Sequence, residues 1–319
     1  MSEVMKLKEC VKDAQKIMIA GHVAPDGDCV GSAIAVYRYL KKHCPEKEVI
    51  AYLESLPEVY EFLDPDRTII TNVVPTEAQD LFIVVDASSH DRLGDALSCF
   101  KEAKSTIVVD HHVSNIGYGK VNIIEPDASS ACEVIAKLMD EKEIDKDIAE
   151  ALYTGMITDS GGFRYESVCR ETMEIAGMLM SKGIDHSWIS DRCLSGRTYI
   201  QAQLLGRALL ESMLMMDGKC IITTVTQNML SLYGAKEEDT EGIVEQLRVT
   251  RGVEVAVFIR ETGDQQYKVS LRSNRYADVS KIATYYEGGG HKKAAGFSMR
   301  GDLHDVINNI MNQISLQIQ

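Results

Sequence analysis

Three short apolar runs in this sequence end in carboxylates or imidazoles. Lys16–Ala20 (KIMIA) leads into Gly21-His22 and then Pro25-Asp26-Gly27-Asp28; residues 80–85 (DLFIVV) lead into Asp86; residues 105–109 (STIVV) lead into Asp110-His111-His112. A further acid, Asp159, stands beside glycines in TDSGGF. A lone Asp at such a position reads as a helix cap or turn residue, and two adjacent histidines say little alone. Three separate runs ending in the same chemistry are much harder to explain as caps. Carboxylates gathered in one crevice repel one another unless cations neutralise them. Oxygen donors with one or two imidazoles suit Mn2+, with Mg2+ or Co2+ as alternatives, better than the sulfur-rich sites of structural zinc. Two such ions about 3.5–4 Å apart form the usual clamp for phosphoryl chemistry.

These endings converge only if the runs are neighbouring strands of one sheet. The runs are short and β-branched, as strands inside a parallel sheet are, and 48–53 reads as another. Helical patterns fall at 30–42, with Ile34 and Tyr37 among the apolar positions, and at 130–141, 144–156 and 171–182, the last closed by Gly183. The alternation predicts an α/β fold with a mostly parallel sheet flanked by helices, and such sheets bind ligands at the carboxyl ends of their strands. Residues 195–216 read as a long connecting helix with Leu205, Leu209 and Met213 on one stripe, and Met213, Met215 and Met216 as packing residues of that helix. Beyond residue 218 the pattern changes. CIITTV, a helical stretch from Glu237, VEVAVFIR and QYKVSLR predict a second, smaller α+β unit.

Composition narrows the functional classes. The chain has 319 residues, 45% hydrophobic and 26% charged, ample for two packed domains. With 34 basic against 48 acidic residues its net charge is −14, which argues against a protein that coats long nucleic acid. Between Arg248 and Arg300, however, ten basic residues face five acids, a stretch suited to a small anionic ligand. No apolar run approaches a membrane span, and the charged start lacks a signal-peptide core, so a cytoplasmic protein is expected. The eight cysteines are scattered without a C-x-x-C pair and read as reduced thiols, Cys29 as filler. Trp188 reads as packing rather than base stacking.

HVAPDGDCVGSAIA (22–35), VVDAS (84–88), VVDHH (108–112) and TGMITDSGGFRY (154–165) resemble the successive motifs of the DHH phosphoesterase superfamily, and GGGHKKAAGF (288–297) resembles the signature of the DHHA1 domain that follows in one branch of it. In size and arrangement the chain is similar to the stand-alone oligoribonucleases and 3′-phosphoadenosine 5′-phosphate phosphatases called nanoRNases. The resemblance implies a DHH catalytic domain over 1–185, a linker helix over 186–217 and a substrate-binding DHHA1 domain over 218–319, with the active-site cleft between them. It implies that His22 and Asp26 bind one metal ion and Asp28, His111 and Asp159 a second, with Asp86 bridging. Asp110 would orient a neighbouring imidazole, and His112 would contact the scissile phosphate or help the leaving oxygen depart. Gly31-Ser32 would open a helix with its amides toward the site. Arg272 and His291 would hold a terminal phosphate or sugar, with Gly289 and Gly290 supplying backbone; Arg164 is a further candidate.

The implied activity is Mn2+-dependent hydrolysis of short oligoribonucleotides or linear dinucleotides such as pApA or pGpG, and of 3′-phosphoadenosine 5′-phosphate to AMP. The implied partners are these substrates, with no long duplex and no membrane; a homodimer is left open. Three alternatives stand beside this reading: a RecJ-like single-strand exonuclease, an inorganic pyrophosphatase and a non-catalytic nucleotide sensor.

Overall fold

The structure is a computed structural model and describes residues 6–75 and 77–318. The chain divides into two compact units between Gly196 and Arg197. In the first, strands β1 (Lys16–Ala20), β2 (Glu48–Leu53), β3 (Ile70–Thr71), β4 (Leu81–Val85), β5 (Ser105–Asp110) and β6 (Val121–Ile124) form one parallel sheet in the order β3-β2-β1-β4-β5-β6. Its helices are α1 (Leu7–Val11), α2 (Gly27–His43), α3 (Leu97–Glu102), α4 (Ala131–Leu138), α5 (Lys146–Asp159), α6 (Arg170–Ser181) and α7 (His186–Ser190). The strands lack a polar face because both sides of the sheet are covered. Ile17, Ile19, Ile83 and Val85 pack with Val30, Ile34 and Leu152 on one side. Met18, Ala20, Phe82 and Val84 pack with Leu93 and Val108 on the other.

The strand order reverses between β1 and β4. Connections leave these two strands in opposite directions, which opens a crevice at their carboxyl ends. A second feature of this unit is the close approach of α2 and α5. A Cβ placed on Gly31 would lie 2.4 Å from the Ala151 carbonyl oxygen, and one on Gly155 2.6 Å from Asp28 Oδ1. Only glycine at these two positions lets the helices touch.

The observed boundaries differ from the sequence reading where tertiary contacts intervene. Helix α2 starts at Gly27, not at 30, because Asp26 caps it, its Oδ1 accepting the Asp28 and Cys29 amides at 3.1 Å each. Gly31 and Ser32 therefore lie past the first four amides, the ones a helix leaves free, and are buried. They do not offer amides to a ligand. Helix α4 ends at Leu138, and α5, capped by Asp145, runs on to Asp159.

The second unit holds β7 (Met213–Met215), β8 (Cys220–Val225), β9 (Val255–Gly263), β10 (Gln266–Ser273), β11 (Gly289–His291) and β12 (Ala294–Arg300) in one mixed sheet, ordered β11-β12-β10-β9-β8-β7. Only β8 and β9 pair in parallel. Helices α8 (Tyr199–Leu210), α9 (Gln227–Tyr233), α10 (Ile243–Arg248), α11 (Val279–Tyr285) and α12 (Leu303–Ser315) complete it. Val269, Leu271, Ile282 and Ile310 share one core, while Leu204, Ala208, Leu247 and Phe258 share another.

The long helix expected over 195–216 is not present. Helix α8 stops at Leu210, and Met213–Met215 pairs with β8 as an edge strand. An apolar run does not by itself distinguish strand from helix, and here the pairing partner decides. The buried stripe of α8 is Leu204 and Ala208; Leu209 and Met213 are exposed, while Met215 and Met216 pack on the α11/α12 core. No described helix is long and apolar enough to cross a membrane.

Candidate active site

Every carboxylate and imidazole singled out in the first half of the sequence lies at the β1/β4 crevice or on the loops beside it. His22 follows β1, Asp86 follows β4, Asp110 closes β5 ahead of His111 and His112, Asp26 and Asp28 open α2, and Asp159 ends α5. His22 Nε2 lies 3.6 Å from Asp26 Oδ1 and 3.5 Å from Asp86 Oδ2. On the other side of Asp86, His111 Nε2 lies 3.7 Å from Asp86 Oδ1, 3.3 Å from Asp159 Oδ2 and 3.9 Å from Asp28 Oδ2. Asp86 thus stands between two sets of donors.

Asp86 is held under strain. Its backbone adopts φ +53°, a left-handed conformation sparsely populated by side-chain-bearing residues. Its carboxylate is buried, and Oδ1 is the one buried side-chain oxygen or nitrogen among the described residues without a hydrogen-bond partner. Burial and the neighbouring Asp28 push its pKa well above the ordinary carboxylate range. The same two causes, burial first and Asp28 second, raise Asp159. Asp28 is raised by burial, against the Ala131 and Cys132 amides at the start of α4, which its oxygens accept at 2.6 and 2.9 Å.

The histidines show what would relieve this. Nδ1 of His22 faces the Val23 carbonyl at 2.8 Å, and Nδ1 of His111 faces the Ala128 carbonyl at 3.3 Å. A carbonyl only accepts, so the ring hydrogen sits on Nδ1 and a neutral ring turns a bare Nε2 toward the carboxylates. Lone pairs facing lone pairs at 3.3–3.9 Å is the arrangement that an intervening cation stabilises. Without one, a proton takes that place on His22. Burial opposes its charged form, but Asp26 and Asp86 outweigh burial and hold the ring up at about 10. The donor set therefore fits divalent cations on both sides of Asp86, and oxygen predominates over nitrogen in it. The Cys29 thiol lies near His22 and Asp86, but burial keeps it protonated.

Asp110 has a different role. It is fully buried, and although its ligand atoms lie within 4.8 Å of those of Asp86, His111 and His112, its oxygens are taken up by hydrogen bonds. Its Oδ1 accepts from His112 Nδ1 at 2.8 Å and from the His111 amide at 2.8 Å, while Oδ2 accepts from Asn115 Nδ2 at 2.6 Å. The Asp110 hydrogen bond holds His112 up at about 9 despite partial burial. The hydrogen bond from Nδ1 to Asp110 thus fixes the orientation of the His112 ring.

The second-unit candidates also share a row. Arg272 on β10 pairs with Ala294 on β12, which pairs with His291 on β11, so Arg272 and His291 lie on one face across three strands. Gly289–His291 is an edge strand rather than an open loop, and Lys292-Lys293 makes the turn to β12. Gly290 adopts φ +139°, and a Cβ there would meet the Ala294 carbonyl oxygen at 2.5 Å. Arg164 donates Nε to its own loop at Gly161. Trp188 packs edge-on against Phe62 with Arg192 over both rings, as expected of a packing residue.

Residues 16–156 match the DHH family, N-terminal domain, and residues 217–318 match the DHHA1 domain. The chain thus carries a DHH N-terminal domain followed by a DHHA1 domain. Among relatives of this chain is the bifunctional oligoribonuclease and PAP phosphatase NrnA of Thermus thermophilus, 29% identical over 306 residues, covering 93% of this chain and 89% of that one. The protein of the same name from Bacillus subtilis is 25% identical over 290 residues, covering 89% of each chain. The crystal structure of an exopolyphosphatase-related protein from Bacteroides fragilis superposes with a TM-score of 0.85 at 25% identity, over 98% of this chain and 97% of that one.

Two groups in the DHH site escaped the sequence reading. Asn115 anchors Asp110 and also donates to the Ala87 carbonyl at 3.2 Å. Its place in HHVSN, a few residues past the histidines, was the available signal. Arg92 donates Nη2 to the Val23 carbonyl at 3.3 Å, the same oxygen that His22 Nδ1 faces. It lies seventy residues from His22 in sequence, and no local pattern marks it.

Proposed function

We propose that this chain is a metal-dependent phosphoesterase that hydrolyses short oligoribonucleotides, or linear dinucleotides such as pApA and pGpG, to nucleoside monophosphates, and 3′-phosphoadenosine 5′-phosphate to AMP. The observation that carries the reading is the strained, buried Asp86 with its orphaned Oδ1 between two sets of carboxylate and imidazole donors. The names of the NrnA relatives support the substrate class. In this reading His22 and Asp26 with Asp86 hold one divalent cation, and Asp28, His111 and Asp159 with Asp86 hold a second, Mn2+ being the first choice for such oxygen-rich donors. Cations bound there would supply Lewis acidity toward a phosphoryl oxygen and acidify water at neutral pH.

The chain's own groups do the rest. Asp110 keeps His112 charged and aimed, so that Nε2–H can donate to a phosphate oxygen whose charge grows as the P–O ester bond breaks, and can protonate the departing oxygen. The water oxygen forms the new bond to phosphorus, and the nucleoside hydroxyl leaves. Arg272 and His291 take the phosphate or sugar of the far nucleotide, with Gly289 and Gly290 keeping that surface low. The test offers pApA, 3′-phosphoadenosine 5′-phosphate, pyrophosphate and a 24-nucleotide single strand under Mn2+. Fastest turnover of the first two is expected. Preferential cleavage of pyrophosphate or of the long strand overturns the proposal, and binding without turnover identifies a sensor.

A further inference from the structure

The face of β10 beside Arg272 carries more positive charge than one terminal phosphate needs. Lys268, Ser270 and Arg272 alternate with buried Tyr267, Val269 and Leu271, so the first three line one face and the last three the core. Lys268 pairs directly with Arg260 on β9, setting two cations opposite each other. Like charges so placed destabilise a sheet. On the other side, Lys268, Ser270 and Arg272 oppose Ser298, Gly296 and Ala294, small residues that leave the stripe uncovered. Arg260, Lys268, Ser270 and Arg272 line a cavity of about 530 Å³ with Phe258 and Val244 among its walls and an acidic rim of Glu237, Glu238 and Glu241. Arg260, 11% exposed, is held by Glu237 at 2.8 Å, whereas Lys268 and Arg272 make no ion pair among the described residues.

The geometry points to a second phosphate seat on this face, formed by Lys268 and Arg260, with the acidic rim as the stop that limits how long a substrate can be. This rests on the oligonucleotide reading above and adds the residues that set chain length. Lys268 lies four positions along the strand from Arg272, about 13 Å of backbone, so the two cations offer opposite ends of this face to the phosphates of one strand. A phosphate arriving at Lys268 relieves the opposed cations and competes with Glu237 for Arg260. The next phosphate along meets Glu238 and Glu241, where like charge disfavours it. Substrates of a few nucleotides gain from the seat, and longer ones are turned away.

The experiment measures kcat/KM on 5′-phosphorylated oligoadenylates of two, five and eight residues under Mn2+, and equilibrium binding of a fluorescent pentamer in EDTA. In Lys268→Ala, the pentamer-to-dimer ratio of kcat/KM should fall about fivefold, and the slope of log K against log salt should shrink by about 0.7, one phosphate contact. In the double variant Glu237→Gln/Glu241→Gln, the octamer-to-dimer ratio should rise about fivefold or more, since repulsion is removed and Arg260 is freed. Ratios and salt slope unchanged from the parent in both variants overturn the inference. A parent protein that cleaves no oligoadenylate overturns the functional reading instead, and the EDTA binding data still decide the seat.

Discussion

Replacing Gly31 with alanine tests whether helix contact, rather than the acids alone, builds the site. The added Cβ would start 2.4 Å from the Ala151 carbonyl oxygen and 3.1 Å from the Gly155 nitrogen, and a Cβ contact below 3.0 Å essentially never occurs, so α2 and α5 must part by at least about 0.6 Å. No rotamer change can absorb this, because both obstacles are backbone. Overpacking of this kind is expected to cost about 1–3 kcal/mol, which for a unit of this size lowers the melting temperature by about 2–12 °C. The functional consequence is sharper. Asp28 rides on α2 and Asp159 on α5, while metal–ligand distances tolerate changes of only about 0.2 Å. Mn2+ affinity, read by titration calorimetry on protein shown to be folded by circular dichroism, should weaken about tenfold or more. Gly177→Ala is the control: it lies on the exposed side of α6 with nothing within 4 Å of its Cβ, and should stabilise by about 0.5–1 kcal/mol without touching Mn2+ binding. A Gly31→Ala protein that matches the parent in both melting temperature and Mn2+ affinity would refute the idea that the α2–α5 contact positions the ligands.

Asp86→Asn should raise the melting temperature of the chelated protein, because it removes a buried carboxylate from among like charges, while abolishing the Mn2+-induced shift and lowering turnover by more than the roughly 10–100-fold typical of an outer-shell loss; differential scanning fluorimetry with and without EDTA reads both. Asp110→Asn turns an amide NH2 toward Asn115 Nδ2, which cannot flip without giving up its bonds to Ala87 and Gly117; a loss of about 1–3 kcal/mol in urea unfolding is expected. Asp80 is held well below the ordinary carboxylate range by Lys104 first and then by the Lys16 and Gln15 amides. Its contribution is complete above the unfolded value near about 3.9 and is lost as pH falls through the lower folded one, so Asp80→Asn should flatten the acid limb of the stability profile. Arg272→Ala should raise KM for pApA with kcat largely kept; an unchanged KM with a collapsed kcat would place Arg272 in the chemical step.

The parts legible from sequence are those that local chemistry dictates. β-branched runs at 16–20, 81–85 and 105–110 are strands wherever they are buried, and the acids following them must lie at strand ends. The glycine after residues 171–182 adopts the left-handed conformation that closes a helix, with Gly183 at φ +82°. Met213–Met215 shows the limit, since a three-residue apolar run takes its form from the strand it meets.

What the sequence determined alone is which side chains could bind cations and where along the chain they fall. Which side chains meet was decided by the reversal of strand order between β1 and β4, by the glycine contact of α2 with α5, and by a register that sets Lys268 against Arg260. Those are relations between segments tens of residues apart. They depend on sheet pairing and helix packing energies summed over the whole unit, and no local pattern carries that sum.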